Sequence, residues 1–437
     1  MAEVASNLLN YTPENTRRRA VSSRGYRTLT PASNGSSFTA SQTINIDLPG
    51  NVQNTFFDFG SSYLKLRLTN NDGAALKLEG GCGIYGMIKK IEIVTGGNVI
   101  STIDEYGVLV DKFLSSDAAN QFKNNTGAVL AGTNGAGPQT GTSIGAAASR
   151  SFAIPLVLTP LFNLNRYCPA FSRDQIRIRI TLNSAVAGLM SAAAADPTDA
   201  QIVIDNVEFN CYMVELSNSA MNMVNESVNG MYNLVVDDYR HAAATLANGS
   251  TTLNAVLGFS FSSLNRVIVI HRPQDTINAR APPSIGNRGT ARLQEINVLV
   301  NGEQYPQRPI KELGTASTDG NGSGGSEALA EALVAERSMG YFGHDSSTGT
   351  PVQFALSNGD GTSNAKTGSY FVSVDLEAMR SEDSDKLFSG VDSLGAVVSV
   401  NSKYNTAPEA FRVDCYAEYT MSMMLDMNGT GTFSVAL

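Results

Sequence analysis

The chain has 437 residues, 42% of them hydrophobic, which is enough for two or three domains with substantial cores and excludes an intrinsically disordered protein. Its formal net charge of −9 excludes a body that binds nucleic acid through bulk positive charge. Only 16% of the residues are charged, and the polar share comes from Ser, Thr, Asn and 40 Gly. This balance is typical either of strands and tight turns or of a surface largely buried in an assembly.

Residues 1–37 show no strand alternation and are predicted to form an N-terminal arm. Five arginines lie in an eleven-residue window of this arm: Arg17, Arg18, Arg19, Arg24 and Arg27. Two interpretations stay open, a solvated tail or an arm that contacts an anionic surface, either packaged genome or lipid headgroups. The apolar residues Val4, Leu8 and Leu9 are compatible with a short amphipathic helix, but they do not form the continuous core of a signal peptide.

Strand patterns dominate the rest of the chain. The ranges 64–69, 176–182 and 207–213 alternate between apolar and polar residues, so each is predicted to place one side in a core. Turn signals such as Gly96-Gly97-Asn98 and Asn301-Gly302 separate such runs. Helical patterns are few; they cover roughly Val108 to Gln121 and Ser326 to Met339.

Segments of the two halves resemble each other in the same order, which predicts an internal duplication. The matched pairs are 87–97 with 292–302, 103–107 with 310–314, 152–156 with 371–375, 181–184 with 399–402, and 207–212 with 411–416. The first pair aligns without a gap at a spacing of 205 residues, and the last places Cys211 opposite Cys415. Chance similarity between two β domains is the alternative, but several ordered matches favour duplication.

The duplication predicts an all-β chain with three parts. They are the arm at 1–37, a first antiparallel sandwich at 38–222 and a second at 223–437, with the boundary near Met221 to Gly230. The absence of a regular alternation of strands and helices argues against a parallel sheet.

No catalytic, cofactor-binding or metal-binding residues are assigned from the sequence. The four cysteines are far apart, and His241, His271 and His344 have no metal-ligand spacing. Gly81-Cys-Gly83-Ile-Tyr-Gly86 has the spacing of a dinucleotide loop, but a predicted strand follows it where a helix is required. The acidic run 382–385 is interpreted as a solvated loop. The cysteine usage fits assembly in a reducing compartment.

The chain resembles the double jelly-roll major capsid proteins, a lineage that includes adenovirus hexon, tailless membrane-containing phages, virophages and polinton-like viruses. The resemblance rests on the two successive sandwiches, on the Ile-x-Ile-Val-x-Gly-Gly hairpin that runs into Ile103-Asp-Glu-Tyr-Gly107, and on the closing segments 388–401, 411–425 and 431–437. It covers about Phe38 to Leu437. It implies two tandem eight-stranded antiparallel jelly rolls with a few short helices.

The resemblance also implies a function. Such a protein self-assembles into pseudo-hexagonal trimeric capsomers that tile an icosahedral shell, with no enzymatic activity and no cofactor. Its partners are other copies of itself, penton or minor capsid proteins, and an internal membrane or the genome through the arm; its location is the virion, assembled inside the host cell. Outer tower loops are expected at Asn124 to Ser149 and Gly314 to Ser326.

Two other classes stay open. A receptor- or carbohydrate-binding tandem sandwich of the spike type usually displays exposed aromatic residues, but this chain has no Trp. A jelly-roll enzyme requires clustered histidines or paired acids, and neither pattern is present.

Overall fold

The computed structural model describes residues 21–31, 36–116, 123–135, 141–164, 167–191, 196–277, 284–311, 326–335, 369–378, 388–427 and 431–436. The strands of the first half are β1 (Val21–Leu29), β2 (Ser37–Thr39), β3 (Thr43–Asp47), β4 (Thr55–Asn70), β5 (Leu76–Lys77), β6 (Ile88–Thr95), β7 (Asn98–Asp104), β8 (Ser143–Ile144), β9 (Ser149–Ile154), β10 (Cys168–Pro169), β11 (Ile176–Leu182), β12 (Met190–Ser191) and β13 (Ile202–Leu216). Those of the second half are β14 (Met231–Leu246), β15 (Thr252–Leu257), β16 (Leu264–Pro273), β17 (Leu293–Val300), β18 (Glu303–Lys311), β19 (Val372–Asp375), β20 (Val398–Tyr404), β21 (Phe411–Asp426) and β22 (Phe433–Ala436). The α-helices are α1 (Tyr106–Ser116), α2 (Thr126–Leu130), α3 (Ala185–Gly188), α4 (Asn218–Val228) and α5 (Ser326–Ala335), with 3-10 turns at Ile84–Met87 and Asp199–Gln201.

The second half folds into two antiparallel sheets with the strand orders β14-β21-β16-β19 and β15-β20-β17-β18. Counted from β14 as one to β21 as eight, these orders are 1-8-3-6 and 2-7-4-5. Eight strands that form two facing four-stranded sheets in this order make up a jelly roll. We call this unit barrel 2; β22 pairs with β21 beside it.

The first half repeats the same arrangement and is called barrel 1. Its eight strands are β2, β3, β4, β6, β7, β9, β11 and β13, in the orders β2-β13-β4-β9 and β3-β11-β6-β7. Strands β1 and β10 extend the first of these sheets, and β5, β8 and β12 form a small third sheet. The predicted all-β fold of two tandem jelly rolls is therefore confirmed.

The matched segments fall on equivalent strands wherever the structure describes them. They lie on the fourth strands β6 and β17, the sixth β9 and β19, the seventh β11 and β20, and the eighth β13 and β21. Cys211 and Cys415 thus both lie on the eighth strand, as the duplication predicts.

Two of the alignments are out of register. The match of the sixth strands sets the core-facing Phe152 and Ile154 against Phe371 and Ser373, although Val372 and Val374 are the residues that pair with core-facing positions of β16. The match of the seventh strands is out of register by four residues. The equivalent residues Lys90 and Glu295 pair with Thr181 and Lys403 on the seventh strands, so Thr181 corresponds to Lys403 and not to Ser399. A shift of four residues keeps each side chain on the same face of the sheet, so the alternation pattern alone does not detect the error.

The alternation explains how each sheet packs. In β4, Leu64, Leu66 and Leu68 are buried in the core, whereas the side chain of Lys65 is 45% exposed. Such inward-facing apolar residues from both sheets fill the interior of each barrel.

The prediction that no residue before Phe38 belongs to a barrel is wrong for Val21–Leu29. These residues form β1, which pairs with β13 from Leu29 opposite Phe209 to Val21 opposite Leu216. The side chains from Ser23 to Thr28 are all exposed, so no buried face imposes a period of two on this edge strand. Residues 1–20, with Arg17, Arg18 and Arg19, lie outside the described residues.

Helix α4 lies between β13 of barrel 1 and β14 of barrel 2. Its N-terminus is capped by Ser217, whose hydroxyl accepts a hydrogen bond from the backbone N–H of Ala220 at 3.3 Å. It ends at Asn229, which has the left-handed conformation common after helices.

Candidate functional site: the contact between the two barrels

Barrel 1 covers one sheet of barrel 2. On β21, alternate apolar residues point into the core of barrel 2, while the opposite, outer face carries polar residues, among them Arg412, Asp414, Tyr416 and Glu418. An outer face with this pattern is ordinarily solvated. Here Asp414 and Tyr416 are fully buried because Glu105, which follows β7, and helix α1 lie close to this face. Polar groups buried in this way require partners.

Asp414 is at the centre of a buried ion cluster. Its Oδ2 accepts a hydrogen bond from Nε of Arg272 at 2.7 Å, and its Oδ1 accepts one from Nε of Arg412 at 2.9 Å. Nε2 of His241 lies 2.8 Å from the same Oδ1. Burial raises the pKa of this carboxyl, but Arg272, His241 and Arg412 lower it by more, so the pKa of Asp414 lies well below its ordinary value.

Glu105 of barrel 1 completes this cluster. Its carboxylate oxygens lie 2.9 Å from Arg272 and 3.3 Å from Arg412, and its backbone carbonyl accepts a hydrogen bond from the hydroxyl of Tyr416 at 3.0 Å. The residue has a φ of 51°, a left-handed conformation that is uncommon outside glycine. One residue of barrel 1 therefore partners donors from three residues of barrel 2, of which Arg272 and Tyr416 are buried.

Glu79 makes a second buried contact between the barrels. Its carboxylate accepts hydrogen bonds from the backbone N–H groups of Ser284, Ile285 and Gly286 at 2.8, 2.9 and 2.6 Å. Burial raises the pKa of Glu79 to about 7, although the three N–H donors oppose this shift. Beside it, the guanidinium of Arg288 lies 2.9 Å from the carboxylate of Asp111 on α1.

The glycines of the 81–86 motif belong to this packed contact. A β-carbon at Gly81 would lie 1.8 Å from a carboxylate oxygen of Asp111, and one at Gly86 would lie 3.1 Å from Ile285 of barrel 2. Gly83 has a φ of 59°, which disfavours a side chain. The glycines therefore permit close approach between chain segments, and no phosphate is needed to explain them.

A third buried contact links the edges of β7 and β14. Asp238 accepts hydrogen bonds from the hydroxyls of Ser101 in barrel 1, at 2.8 Å, and Tyr419 in barrel 2, at 2.7 Å. Burial raises the pKa of Asp238 to about 6. On α1, the ring of Phe113 packs edge-to-face on Tyr239, with ring centroids 5.7 Å apart.

The corresponding outer face of barrel 1 is solvated in the single chain. It carries the ion pairs Lys65–Glu208 at 2.9 Å and Arg67–Asp205 at 2.5 Å, and the Lys65 and Glu208 side chains are 45% and 35% exposed. Further along this sheet, Tyr26 packs edge-to-face on Tyr63 and Tyr212.

The structure does not bring the five predicted arginines together as one described site. Arg24 and Arg27 lie on β1 with exposed side chains, and the other three are outside the described residues. His344, the acidic run 382–385 and most of the second tower loop also lie outside them. His271 is buried, with Nε2 2.9 Å from the hydroxyl of Tyr404.

Sequence reasoning missed the residues that join the barrels. Asp414 and Tyr416 lie in the segment matched with 207–212, an alternating strand whose polar side is usually solvated. No local signal sets this segment apart, because the charged residues Arg412 and Asp414 resemble those of the solvated face of barrel 1. Glu105 belongs to a segment matched between the halves, but its backbone conformation is visible only in the structure.

Within the described residues, no group of three or more His, Cys, Asp or Glu side chains is arranged to hold a metal ion. None of the described helices has the length and apolarity that a membrane span requires.

No protein-family model matches this sequence, and no curated protein matches it. Solved structures do match over nearly the whole chain. The PBCV-1 virus capsid is 13% identical with a TM-score of 0.60, and the match covers 96% of this chain and 98% of that chain. A Sputnik virophage structure is 12% identical with a TM-score of 0.59, covering 98% and 91%. The Faustovirus major capsid protein is 10% identical with a TM-score of 0.57, covering 96% and 93%. The chain therefore has the double jelly-roll fold of these capsid structures.

Proposed function

We propose that this chain is a major capsid protein that assembles into trimers with a pseudo-hexagonal outline, which tile an icosahedral virus shell. The likeness to capsid structures supports this proposal because it spans both barrels and nearly the full length of those chains. Its place is then the virion, and its role is structural and not enzymatic.

The observation that carries the proposal is the asymmetry of the contact between the barrels. An edge of barrel 1, formed by β7, Glu105 and α1, lies on a sheet face of barrel 2. The duplicated fold supplies each chain with a second, equivalent pair of surfaces. These are the edge of barrel 2 at β18 and α5, and the outer face of barrel 1 at β4 and β13.

A contact between unlike surfaces of this kind joins copies head to tail and forms a ring when the rotation closes. If each chain repeats its internal contact with the next chain, three chains place six similar barrels in one ring. The exposed polar residues fit such a contact: β18 presents Arg308 and Lys311, and the outer face of barrel 1 presents Glu208 and Asp205.

The mass and shape of the purified protein test the proposal. Light scattering should give three times 46.3 kDa, and negative-stain images should show particles with a hexagonal outline. A stable monomer at high concentration, with no tendency to form lattices, would instead favour a spike-type binding protein.

Charge reversal tests which surface forms the trimer. Asp205→Lys with Glu208→Lys should yield folded monomers, because both carboxylates lie in the proposed contact and the new lysines would repel Arg308 and Lys311 of the next chain. The matched control is Asp47→Lys with Glu92→Lys, which breaks ion pairs on the other sheet of barrel 1 and should leave trimers intact. Trimers from both variants would overturn the assignment of this face.

We also propose that the N-terminal arginines hold the capsid protein to an anionic inner surface, either lipid headgroups or genome. Each arginine near an anionic membrane contributes about 1 kcal/mol, and several arms per trimer add avidity. Replacing Arg17, Arg18, Arg19, Arg24 and Arg27 with Ser should leave trimers intact, impair particle assembly and reduce its salt dependence. Normal yields of stable, filled particles would show that the arginines are only a solvated tail. Penton or minor capsid proteins are further proposed partners.

A further inference from the structure

An apolar groove lies beside α4, away from the ion cluster. It has a volume of about 580 Å³ and lies between the last residues of β13, the first residues of β14 and the helix. Its walls include Tyr212, Val214 and Leu216 from β13, Val224 and Val228 from α4, and Tyr232 from β14. Phe56, Phe171 and Tyr232 pack edge-to-face or at a tilt beneath it, with ring centroids 5.2 to 6.3 Å apart.

This groove is both apolar and accessible. Two of its lining residues, Tyr167 and Met231, are more than half exposed, and the hydrophobic cluster beneath contains only a few buried residues. Contiguous exposed apolar surface of this kind ordinarily marks a binding site. The internal contact between the barrels does not use it.

We infer that the groove binds residues 4–11 of the same chain. The first described residue, Val21, pairs with Leu216, which is itself a lining residue, and Arg24 lies at the groove as well. The chain before β1 therefore begins beside the groove. Because it is covalently attached there, its effective concentration at the groove is high.

The sequence of this segment fits the groove. Val4, Leu8 and Tyr11 have the i, i+4, i+7 spacing by which an amphipathic helix places one apolar face in a groove. Pro13 disfavours continuation of such a helix past Thr12. The nine residues 12–20 then span at most about 30 Å. This length allows the chain to reverse direction before Val21 and to reach the groove beside Arg24.

Disulfide trapping in the full-length chain tests the inference. All four native cysteines are buried, so the pair Leu8→Cys with Met231→Cys is the reactive one under mild oxidation. It should form a disulfide within one chain. The control pair, Leu8→Cys with Val256→Cys, uses a position on β15 that is more exposed than Met231, and it should form at least tenfold less disulfide. Equal trapping by both pairs would overturn the proposal.

Mixing isotopically light and heavy protein distinguishes a groove that binds the segment of its own chain from one that binds the segment of another copy. A disulfide between a light and a heavy chain would show that the groove receives the segment of another copy, and would overturn the assignment to the same chain. The measurement does not depend on particle formation, so failure of the capsid proposal would not affect it.

Exposure of the groove gives a second readout. Val4→Asp with Leu8→Asp should release the segment and raise the fluorescence of an apolar dye severalfold. The control, Ala2→Asp with Ser6→Asp, adds the same charge on the opposite side of the helix and should leave the fluorescence unchanged. No increase in the first variant, or an equal increase in both, would contradict the proposal.

Discussion

The aligned tyrosines of the two eighth strands, Tyr212 and Tyr416, lie in opposite surroundings. Tyr416 is fully buried under barrel 1 and donates its hydroxyl to the carbonyl of Glu105, whereas Tyr212 is partly exposed and packs on Tyr26. Duplication supplied the same position twice, and only the copy in barrel 2 is covered within the chain. The two environments show that a sheet face with one pattern serves as an internal contact in one barrel and an accessible surface in the other.

The second sheets of the barrels differ in a similar way. In barrel 1, Asn45, Arg179 and Glu92 lie side by side on neighbouring strands, and Arg179 forms an ion pair with Glu92 at 3.2 Å. The equivalent row of barrel 2 contains only asparagines: Asn254, Asn401 and Asn297. The ladder of backbone hydrogen bonds is the same in both. The outward residues of these strands are therefore free to differ, because they do not determine the barrel.

The outer faces of the two barrels should differ most in how much stability is lost when one carboxylate is removed from each. Asp414→Ala should lower the free energy of unfolding by about 3–5 kcal/mol, because it removes one of the two carboxylates that pair with the buried Arg272 and the acceptor that His241 and Arg412 share. Asp205→Ala removes the partner of the part-exposed Arg67 and should lower the free energy of unfolding far less, because water screens this pair. Denaturant unfolding of both variants measures this. Similar costs would show that the two faces are not energetically distinct.

The stability of the chain should depend on pH because Glu79 is buried in the contact between the barrels. Its folded-state pKa of about 7 is above its ordinary 4.5, so the folded chain holds this proton more tightly than the unfolded chain. Stability from this group is therefore present at low pH and lost as the pH rises from 4.5 to 7, by roughly 3 kcal/mol. The difference in unfolding free energy between the wild type and Glu79→Gln should change by that amount across this window.

The control for Glu79 is Glu208→Gln on the exposed face of barrel 1. This variant removes a carboxylate that is 35% exposed and screened by water, so it controls for the loss of a negative charge in itself. A flat difference for Glu79→Gln would contradict the pKa assigned to the buried carboxyl.

The smallest of these effects should come from the aligned tyrosines. Tyr416→Phe leaves the carbonyl of Glu105 without this donor in a buried contact and should cost about 1–2 kcal/mol. Tyr212→Phe changes a partly exposed ring and should cost less than about 0.5 kcal/mol. Thermal or denaturant unfolding distinguishes the two, and equal costs would remove the basis for the comparison.

Much of the fold was predictable from local patterns. Strands such as β4 and β11 alternate between apolar and polar residues because one face packs in a core and the other does not. The matched segments fall on the fourth to eighth strands of both barrels, although those on the sixth and seventh strands are out of register. The register of β20 was missed because a shift of four residues preserves the alternation, and β1 was missed because an exposed edge strand has no buried face to impose a pattern.

The sequence by itself determined two antiparallel barrels and their order, because burial of one strand face leaves a periodic record in the chain. Only the tertiary structure decided which outer face is covered. Asp414, Arg272, Glu105 and Glu79 are far apart in sequence, and their charges resemble those of any solvated strand or loop. The chain forms this contact only when two folded barrels meet, so its energetics depend on desolvation and partner geometry that no local pattern encodes.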